Sequence, residues 1–175
     1  AYFAEKPDHL GNEYTGLLEG KNVIIVMLES IDDWVITPEV MPTLHSMMES
    51  SINFTNHYTP DYASGYTFNT EFAFNLGVYP YSNGNVSYAL TRSAFPYSVA
   101  NMFTAAGYTA NSFHEGYPDF YNRGPMHTAF GYTLYHCFRD FPMQHPDVHS
   151  VHDDTFLPMN DTLYGAMTAA DPFCS

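Results

Sequence analysis

Basic residues are scarce in this sequence, and their scarcity excludes whole classes of protein. Five lysines and arginines stand against 19 aspartates and glutamates, which gives a formal net charge of -14. Such a chain lacks the basic surface that binds nucleic acid or docks electrostatically on an anionic membrane. An anionic substrate would need a metal ion or one of three arginines, Arg92, Arg123 and Arg139.

Cysteines and long apolar runs are also few. Cys137 and Cys174 cannot form a disulfide framework, although one bridge between them stays open. Two cysteines are compatible with either the cytosol or an oxidising exterior. The sequence has no apolar run of the length that spans a membrane, and its first residues do not form a signal peptide. If the protein is exported, we expect the exporting segment to lie outside these 175 residues.

Hydrophobic residues are plentiful, at 45% of the chain, and they predict a real core, in one folded domain or in a piece of a larger one. Helical and extended patterns alternate at the spacing of βαβ units, which is typical of an α/β fold with a mostly parallel sheet covered by helices. We interpret residues 1–20 as an entry segment and 21–175 as the domain. The predicted strands are 22–28, 52–58 and 108–113, and the predicted helices are 43–50, 68–76, 96–106, a short one within 119–131, and 160–170.

Polar residues follow the predicted strands where a parallel sheet places its reactive edge. Glu29 comes directly after the apolar run VIIVML, His114 follows strand 108–113, and Thr67 ends the loop after strand 52–58. Thr67 is also the predicted N-cap of helix 68–76. A helix N-terminus favours an anion, and a metal ion lowers the pKa of a hydroxyl that it coordinates. Glu29 and Thr67 therefore predict a metal-assisted nucleophile, while a solvated acid and an ordinary cap stay open as alternatives.

Several longer stretches resemble one known family. The segments KNVIIVMLES, GYTFNTEFAFNLGVYP, NMFTAAGYTANSFHEG and FYNRGPMHTAFGY follow the motif order of the lipoteichoic acid synthase-like branch of the sulfatase and alkaline phosphatase superfamily. The resemblance runs from about residue 14 to residue 141. It implies an α/β fold of the alkaline phosphatase type, of which this chain would hold the N-terminal part.

The resemblance also implies a role for each candidate residue. Glu29 matches the metal-binding glutamate, and Thr67 matches a threonine nucleophile that also contacts the metal. His114, Tyr121 and Arg123 match the residues that bind the phosphoglycerol head group. The implied cofactor is one divalent ion (Mn, Mg or Zn), which this chain would coordinate incompletely, because the family's Asp-His pair lies further downstream.

The implied activity is phosphoglycerol transfer from a phosphatidylglycerol-type lipid through a covalent threonine intermediate. The implied location is the outer face of a bacterial cytoplasmic membrane, reached through a membrane segment that is absent here. No nucleic acid partner is implied. With half of the ligands missing, we expect the 175-residue chain alone to be inactive.

Three departures from the family pattern leave other functions open. Tyr66 replaces a lysine before the nucleophile, Phe68 replaces the serine after it, and Tyr121 replaces a tryptophan. A phosphatase-like or sulfatase-like hydrolase is therefore one alternative, although no motif for formylglycine formation occurs. A degenerate module that binds a glycan or an anion through its aromatic surface is the other, because the chain has 15 tyrosines.

Overall fold

The computed structural model describes residues 11–29, 31–58, 67–80, 86–114 and 116–137. Along these ranges the chain forms five α-helices and two strands, with single 3-10 turns at Asp33–Val35 and Phe120–Asn122. The elements are α1 (Pro42–Glu49), α2 (Thr67–Leu76), α3 (Val86–Ala89), α4 (Val99–Ala105), β1 (Asn111–Phe113), α5 (Arg123–Phe130) and β2 (Leu134–His136).

The two described strands form a parallel pair. Ser112 of β1 lies opposite Tyr135 of β2, and α5 lies between the strands in the sequence. A parallel pair needs a crossover connection, which is usually a helix. This βαβ unit confirms the predicted α/β class, with a small parallel sheet.

The core lies where α2, α3 and α5 meet. Its buried members are Phe68, Phe72, Val86, Met126 and Phe130. The Phe130 ring lies 6.3 Å from Phe68 and 6.2 Å from Phe72, centroid to centroid. Burying an aromatic side chain of this size stabilises a fold by about 1.5–3 kcal/mol, so these rings fix α2 against α5.

A serine joins the start of α4 to the end of α5. The Ser98 hydroxyl accepts a hydrogen bond from the Asn101 amide at 3.3 Å and donates one to the Phe130 carbonyl. Because Ser98 is a better N-cap than the residues before it, α4 begins at Val99 and not at the predicted residue 96. Gly107 follows the helix with a φ of 90°, as a C-terminal glycine should.

Two predicted strands are not found. Residues 22–28 and 52–58 form no strand, and the apolar side chains of the first segment range from 41% exposed at Met27 to 70% exposed at Val26. An apolar run becomes a buried strand only when neighbouring strands and covering helices surround it. Within the described ranges the sheet consists of β1 and β2 alone, and neither pairs with these segments.

Of the remaining predictions, some are confirmed and others lie outside the described residues. The helices predicted at 43–50, 68–76 and within 119–131 are confirmed within about a residue, and β1 confirms the end of strand 108–113. Strand β2 lies in a stretch without a clear sequence pattern, because three residues are too few to show alternation. The helix predicted at 160–170 lies outside the described residues, and so does the first half of the entry segment. None of the described helices is both long and apolar enough to cross a membrane.

Candidate functional site

The structure brings together two of the residues that the sequence singles out. The Thr67 hydroxyl donates a hydrogen bond to Oε1 of Glu29 at 2.5 Å, although 38 positions separate the two residues in the sequence. Glu29 is exposed and Thr67 is half-buried, so the pair can be reached from solvent. The contact does not depend on the predicted strand, because residues 21–29 have no regular secondary structure and belong to no sheet.

Thr67 is the first residue of α2. The helix therefore begins one residue earlier than predicted, because the sequence pattern places Thr67 at the N-cap of a helix that starts at residue 68. The first backbone amides of a helix have no partner within the helix, and the helix dipole adds a partial positive charge there. Phosphate and sulfate groups bind readily at such an end. An anionic ester that approaches Thr67 therefore meets a hydroxyl and a favourable field together.

The same two side chains fit part of a metal site. A carboxylate oxygen and a hydroxyl oxygen are hard ligands of the kind that Mg²⁺ and Mn²⁺ prefer. The described residues contain no group of three or more His, Cys, Asp or Glu that could hold a metal ion. Glu29 and Thr67 thus fit a divalent cation as two of its ligands and leave the rest of the shell to other groups.

His114 lies where β1 ends. Its amide donates to the His136 carbonyl at 3.0 Å, which extends the β1–β2 pairing by one residue. Its ring Nδ1 accepts a hydrogen bond from the Gly116 amide at 2.8 Å. Because Nδ1 is an acceptor here, the neutral ring carries its proton on Nε2. His114 is thus oriented as a donor through Nε2.

Tyr121 lies in a turn with an uncommon backbone. Tyr121 and Asn122 have φ values of 56° and 52°, in the left-handed region that few residues other than glycine adopt. The Asn122 amide group donates to the Ser87 carbonyl at 3.2 Å and so ties this turn to α3. Backbone strain of this kind concentrates at functional sites.

Arg123 is buried against an acid that the sequence did not single out. It is 1% exposed, and its Nε lies 2.9 Å from both carboxylate oxygens of Glu71. Its Nη2 lies 2.6 Å from Oε1 of the same carboxylate. The guanidinium therefore meets Glu71 in a bidentate pair inside the protein, although the sequence predicts it as a head-group ligand.

His127 completes the contacts of Glu71. Its Nε2 lies 3.1 Å from Oε2 of the carboxylate and donates to it, since an ionised carboxylate only accepts. Burial alone would raise the pKa of Glu71, but the hydrogen bonds from His127 and Arg123 and the Arg123 charge lower it to about 2. Glu71 is therefore ionised at any physiological pH.

The sequence did carry a signal for this cluster. Glu71 follows Phe68 and precedes Phe72 on a helix whose neighbours are mostly apolar, so it had to fall on or beside the core face. Arg123 and His127 are four residues apart on α5, which places both on one face of that helix. A buried acid opposite two basic side chains is the usual way to satisfy such a charge.

Tyr135 connects the buried cluster to the loop beside His114. Its hydroxyl donates to the Gly116 carbonyl at 3.3 Å, and its ring lies edge-on to the His127 ring, with 5.4 Å between the ring centroids. Burial raises the pKa of the phenol, so Tyr135 stays protonated. The loop that orients His114 is thus tied to the Arg123 cluster.

Comparison with known proteins gives one family match and several relatives. The sequence model described as "Sulfatase" matches residues 21–173. Lipoteichoic acid synthase 2 of Bacillus subtilis is 30% identical over 136 residues, which cover 74% of this chain and 21% of that protein. Lipoteichoic acid synthase of Staphylococcus aureus is 24% identical over 156 residues, or 84% of this chain and 24% of that protein.

A solved structure, that of the lipoteichoic acid synthase LtaP from Listeria monocytogenes, matches with a TM-score of 0.46 and 18% identity. The match covers 57% of this chain and 24% of the LtaP chain. The chain thus spans between a fifth and a quarter of the length of these relatives.

Proposed function

Because this chain belongs to the sulfatase family, we propose that it supplies the nucleophile and part of the metal site of a phosphoester-processing enzyme. The most specific form of the proposal is phosphoglycerol transfer from a phosphatidylglycerol-type lipid, with Thr67 as nucleophile. The observation that carries it is the 2.5 Å hydrogen bond from Thr67 to Glu29 at the start of α2. The names of the curated relatives, which are lipoteichoic acid synthases, support the substrate class.

The contact between Thr67 and Glu29 supplies what a threonine nucleophile needs. Its hydroxyl is poorly reactive until an adjacent base or a metal ion activates it. In the proposed step, Thr67 Oγ1 forms a bond to phosphorus as the bond from phosphorus to the diacylglycerol oxygen breaks, and that oxygen takes a proton from solvent. Glu29 accepts the hydroxyl proton along the existing hydrogen bond. The oxygen of water or of an acceptor hydroxyl then bonds to phosphorus and gives its proton to solvent. The bond from phosphorus to Thr67 breaks, and Oγ1 takes back the proton held by Glu29.

The proposed cofactor is one divalent metal ion, with Glu29 and Thr67 among its ligands. When bound, such an ion neutralises phosphate charge and lowers the pKa of a coordinated hydroxyl. The chain's own charge makes this help necessary, since its net charge is -14. The positive end of α2 adds to the stabilisation of an anionic ester at Thr67.

The three residues that the sequence predicts as head-group ligands differ in their exposure to solvent. His114 and Tyr121 are half-buried and retain accessible surface, whereas Arg123 is almost fully buried. We therefore assign direct contact with the glycerol or phosphoryl oxygens to His114 and an aromatic platform to Tyr121. Arg123 acts on the head group indirectly, through Tyr121, because its guanidinium carbon lies 5.5 Å from the centre of the Tyr121 ring. The proposed location is the outer face of a bacterial cytoplasmic membrane.

The departure at position 68 has a structural explanation. Phe68 belongs to the buried core that α2 shares with α5. The residue after the nucleophile therefore stabilises the helix and makes no contact with a substrate.

The proposal is tested by following a covalent adduct in the full-length protein. After incubation with phosphatidylglycerol and Mn²⁺, intact mass should show one phosphoglycerol group per chain. Thr67→Ala should abolish the adduct, and removal of the metal with a chelator beforehand should do the same. The matched control is Thr128→Ala, which changes an exposed threonine on α5. An adduct that persists in Thr67→Ala would refute the assignment of the nucleophile.

A hydrolase of another ester is the second candidate, and the family description "Sulfatase" favours it. Phosphomonoester and sulfate ester substrates, assayed beside phosphatidylglycerol, separate the two candidates. Turnover of a sulfate ester without a lipid adduct would support hydrolysis. If the protein binds metal and turns over none of these esters, both enzymatic proposals fail.

A further inference from the structure

We propose that Glu71, Arg123 and His127 form a positioning cluster, which fixes the position of Thr67 relative to the loops that carry the head-group residues. The inference rests on the proposed function in one respect, namely that Thr67 is the nucleophile. It assigns Arg123 a role within the protein, through Glu71, and adds two residues that the sequence did not single out. The supporting observations are the contacts that these three side chains make with one another and with the two loops beside the site.

Helix geometry links Glu71 to the nucleophile. Glu71 is four residues after Thr67 on α2, so the two side chains lie one turn apart on the same side of the helix. Along the axis that distance is about 6 Å. A rigid contact at Glu71 therefore fixes both the rotation of α2 and the height of its first turn.

The contact at Glu71 is directional in a way that the apolar core is not. Phe68 and Phe72 pack against α5, but hydrophobic contacts tolerate small rotations and shifts. A bidentate pair between Arg and a carboxylate fixes distance and angle together. Glu71 meets Arg123 through three hydrogen bonds and His127 through a fourth, and these two partners belong to successive turns of α5.

The same cluster also holds the proposed head-group side of the site. Arg123 directly follows the left-handed residues Tyr121 and Asn122. The Tyr135 ring packs edge-on against His127, its hydroxyl donates to the Gly116 carbonyl, and the Gly116 amide orients His114. The nucleophile helix and the head-group loops thus share one buried anchor, which sets their spacing.

A double-mutant cycle in the full-length protein tests this proposal. Glu71→Gln, Arg123→Gln and the double variant are compared by kcat and KM for phosphatidylglycerol. Each single change should lower kcat by about 10- to 100-fold, the loss expected when a reacting group is misplaced by about 1 Å, with little change in KM. The double variant should lose no more than the worse single variant, because both changes break one contact. Glu39→Gln and Arg92→Gln, at exposed positions, are the matched controls and should leave both constants unchanged.

A second readout does not need the reaction. Hydrogen exchange of the amides at 67–76 should become at least about 10-fold faster in both single variants and stay unchanged in both controls. This result separates the two proposals. If the parent protein forms no adduct, the proposed function fails, yet unchanged exchange would still overturn the positioning cluster by itself.

The competing role for Arg123 predicts a different pattern. If Arg123 binds substrate directly, Arg123→Gln raises KM, Glu71→Gln does not, and the losses add in the double variant. That outcome would overturn the proposal. If Glu71→Gln and Arg123→Gln fail to fold, His127→Gln replaces them in both measurements, because it removes a single hydrogen bond from the cluster. An unchanged kcat and unchanged exchange in His127→Gln would likewise overturn it.

Discussion

Glutamine at position 71 keeps the shape of the side chain and removes the charge that faces Arg123. The folded protein lowers the pKa of Glu71 from its ordinary 4.5 to about 2. One pKa unit corresponds to about 1.4 kcal/mol, so ionisation of Glu71 stabilises the folded state by about 3 kcal/mol at neutral pH. Removing one partner of a buried pair costs about 3–5 kcal/mol in other proteins. We therefore expect Glu71→Gln to lower the free energy of unfolding by about 3 kcal/mol at pH 7.

The pH dependence identifies the cause. Because the pKa of Glu71 is lower in the folded state, its contribution is fully present above about pH 4.5 and is lost as the pH falls towards about 2. At about pH 3 roughly 2 kcal/mol of that contribution should be gone. The difference between the parent protein and Glu71→Gln should therefore narrow by about 2 kcal/mol between pH 7 and pH 3.

Urea unfolding followed by far-ultraviolet circular dichroism measures this difference at each pH. Glu39→Gln, at an exposed position, is the control and should follow the parent protein at both pH values. The reasoning is refuted by a loss under about 0.5 kcal/mol at pH 7, which is the range of ordinary surface substitutions. It is refuted equally by a loss that does not change with pH, since such a loss would come from packing and not from charge.

Three further substitutions test other contacts. Gly116→Ala should raise KM by about fivefold, the value of one hydrogen bond, because the new methyl group meets the His114 ring at 3.0 Å; an unchanged KM in steady-state kinetics would contradict the role of His114. Gly131→Ala should cost about 1–3 kcal/mol in urea unfolding, since its φ of 96° disfavours a side chain and Asn101 fills the space; a neutral result would contradict this close approach. Phe130→Ala should cost about 3–5 kcal/mol and lower the midpoint of thermal unfolding, because the ring is fully buried; a loss below about 1 kcal/mol would show that the core does not depend on it.

The sequence predicted those parts of the fold that local patterns encode. Helix α2 was recognisable from Thr67 at its start and from the apolar residues that follow. The sequence also predicted that Glu29 and Thr67 lie close together, as ligands of one metal ion, and in the structure a direct hydrogen bond joins them. The sequence placed Glu29 at the end of a strand, whereas the structure places it in a segment without regular secondary structure that joins no sheet.

The partner of Arg123 could not be predicted in the same way. A motif gives residue types at fixed spacing, but it does not say which way a side chain points. Whether Arg123 faces a substrate or the protein depends on the angle between α2 and α5, which the packing of Phe72 and Phe130 decides. That packing is a property of the whole fold. The sequence shows which helix faces carry Glu71, Arg123 and His127, but only the structure shows that these faces meet.

The Ser98 hydroxyl has a consequence for how the structure opens. One oxygen caps the first turn of α4 and holds the last carbonyl of α5, so the two helix ends cannot fray independently. A hydroxyl can donate once and accept twice, and Ser98 uses both capacities while fully buried. Because one side chain holds both helix ends, we expect α4 and the end of α5 to unfold in a single cooperative event. Alanine at position 98 would remove both contacts and loosen the two helices at once.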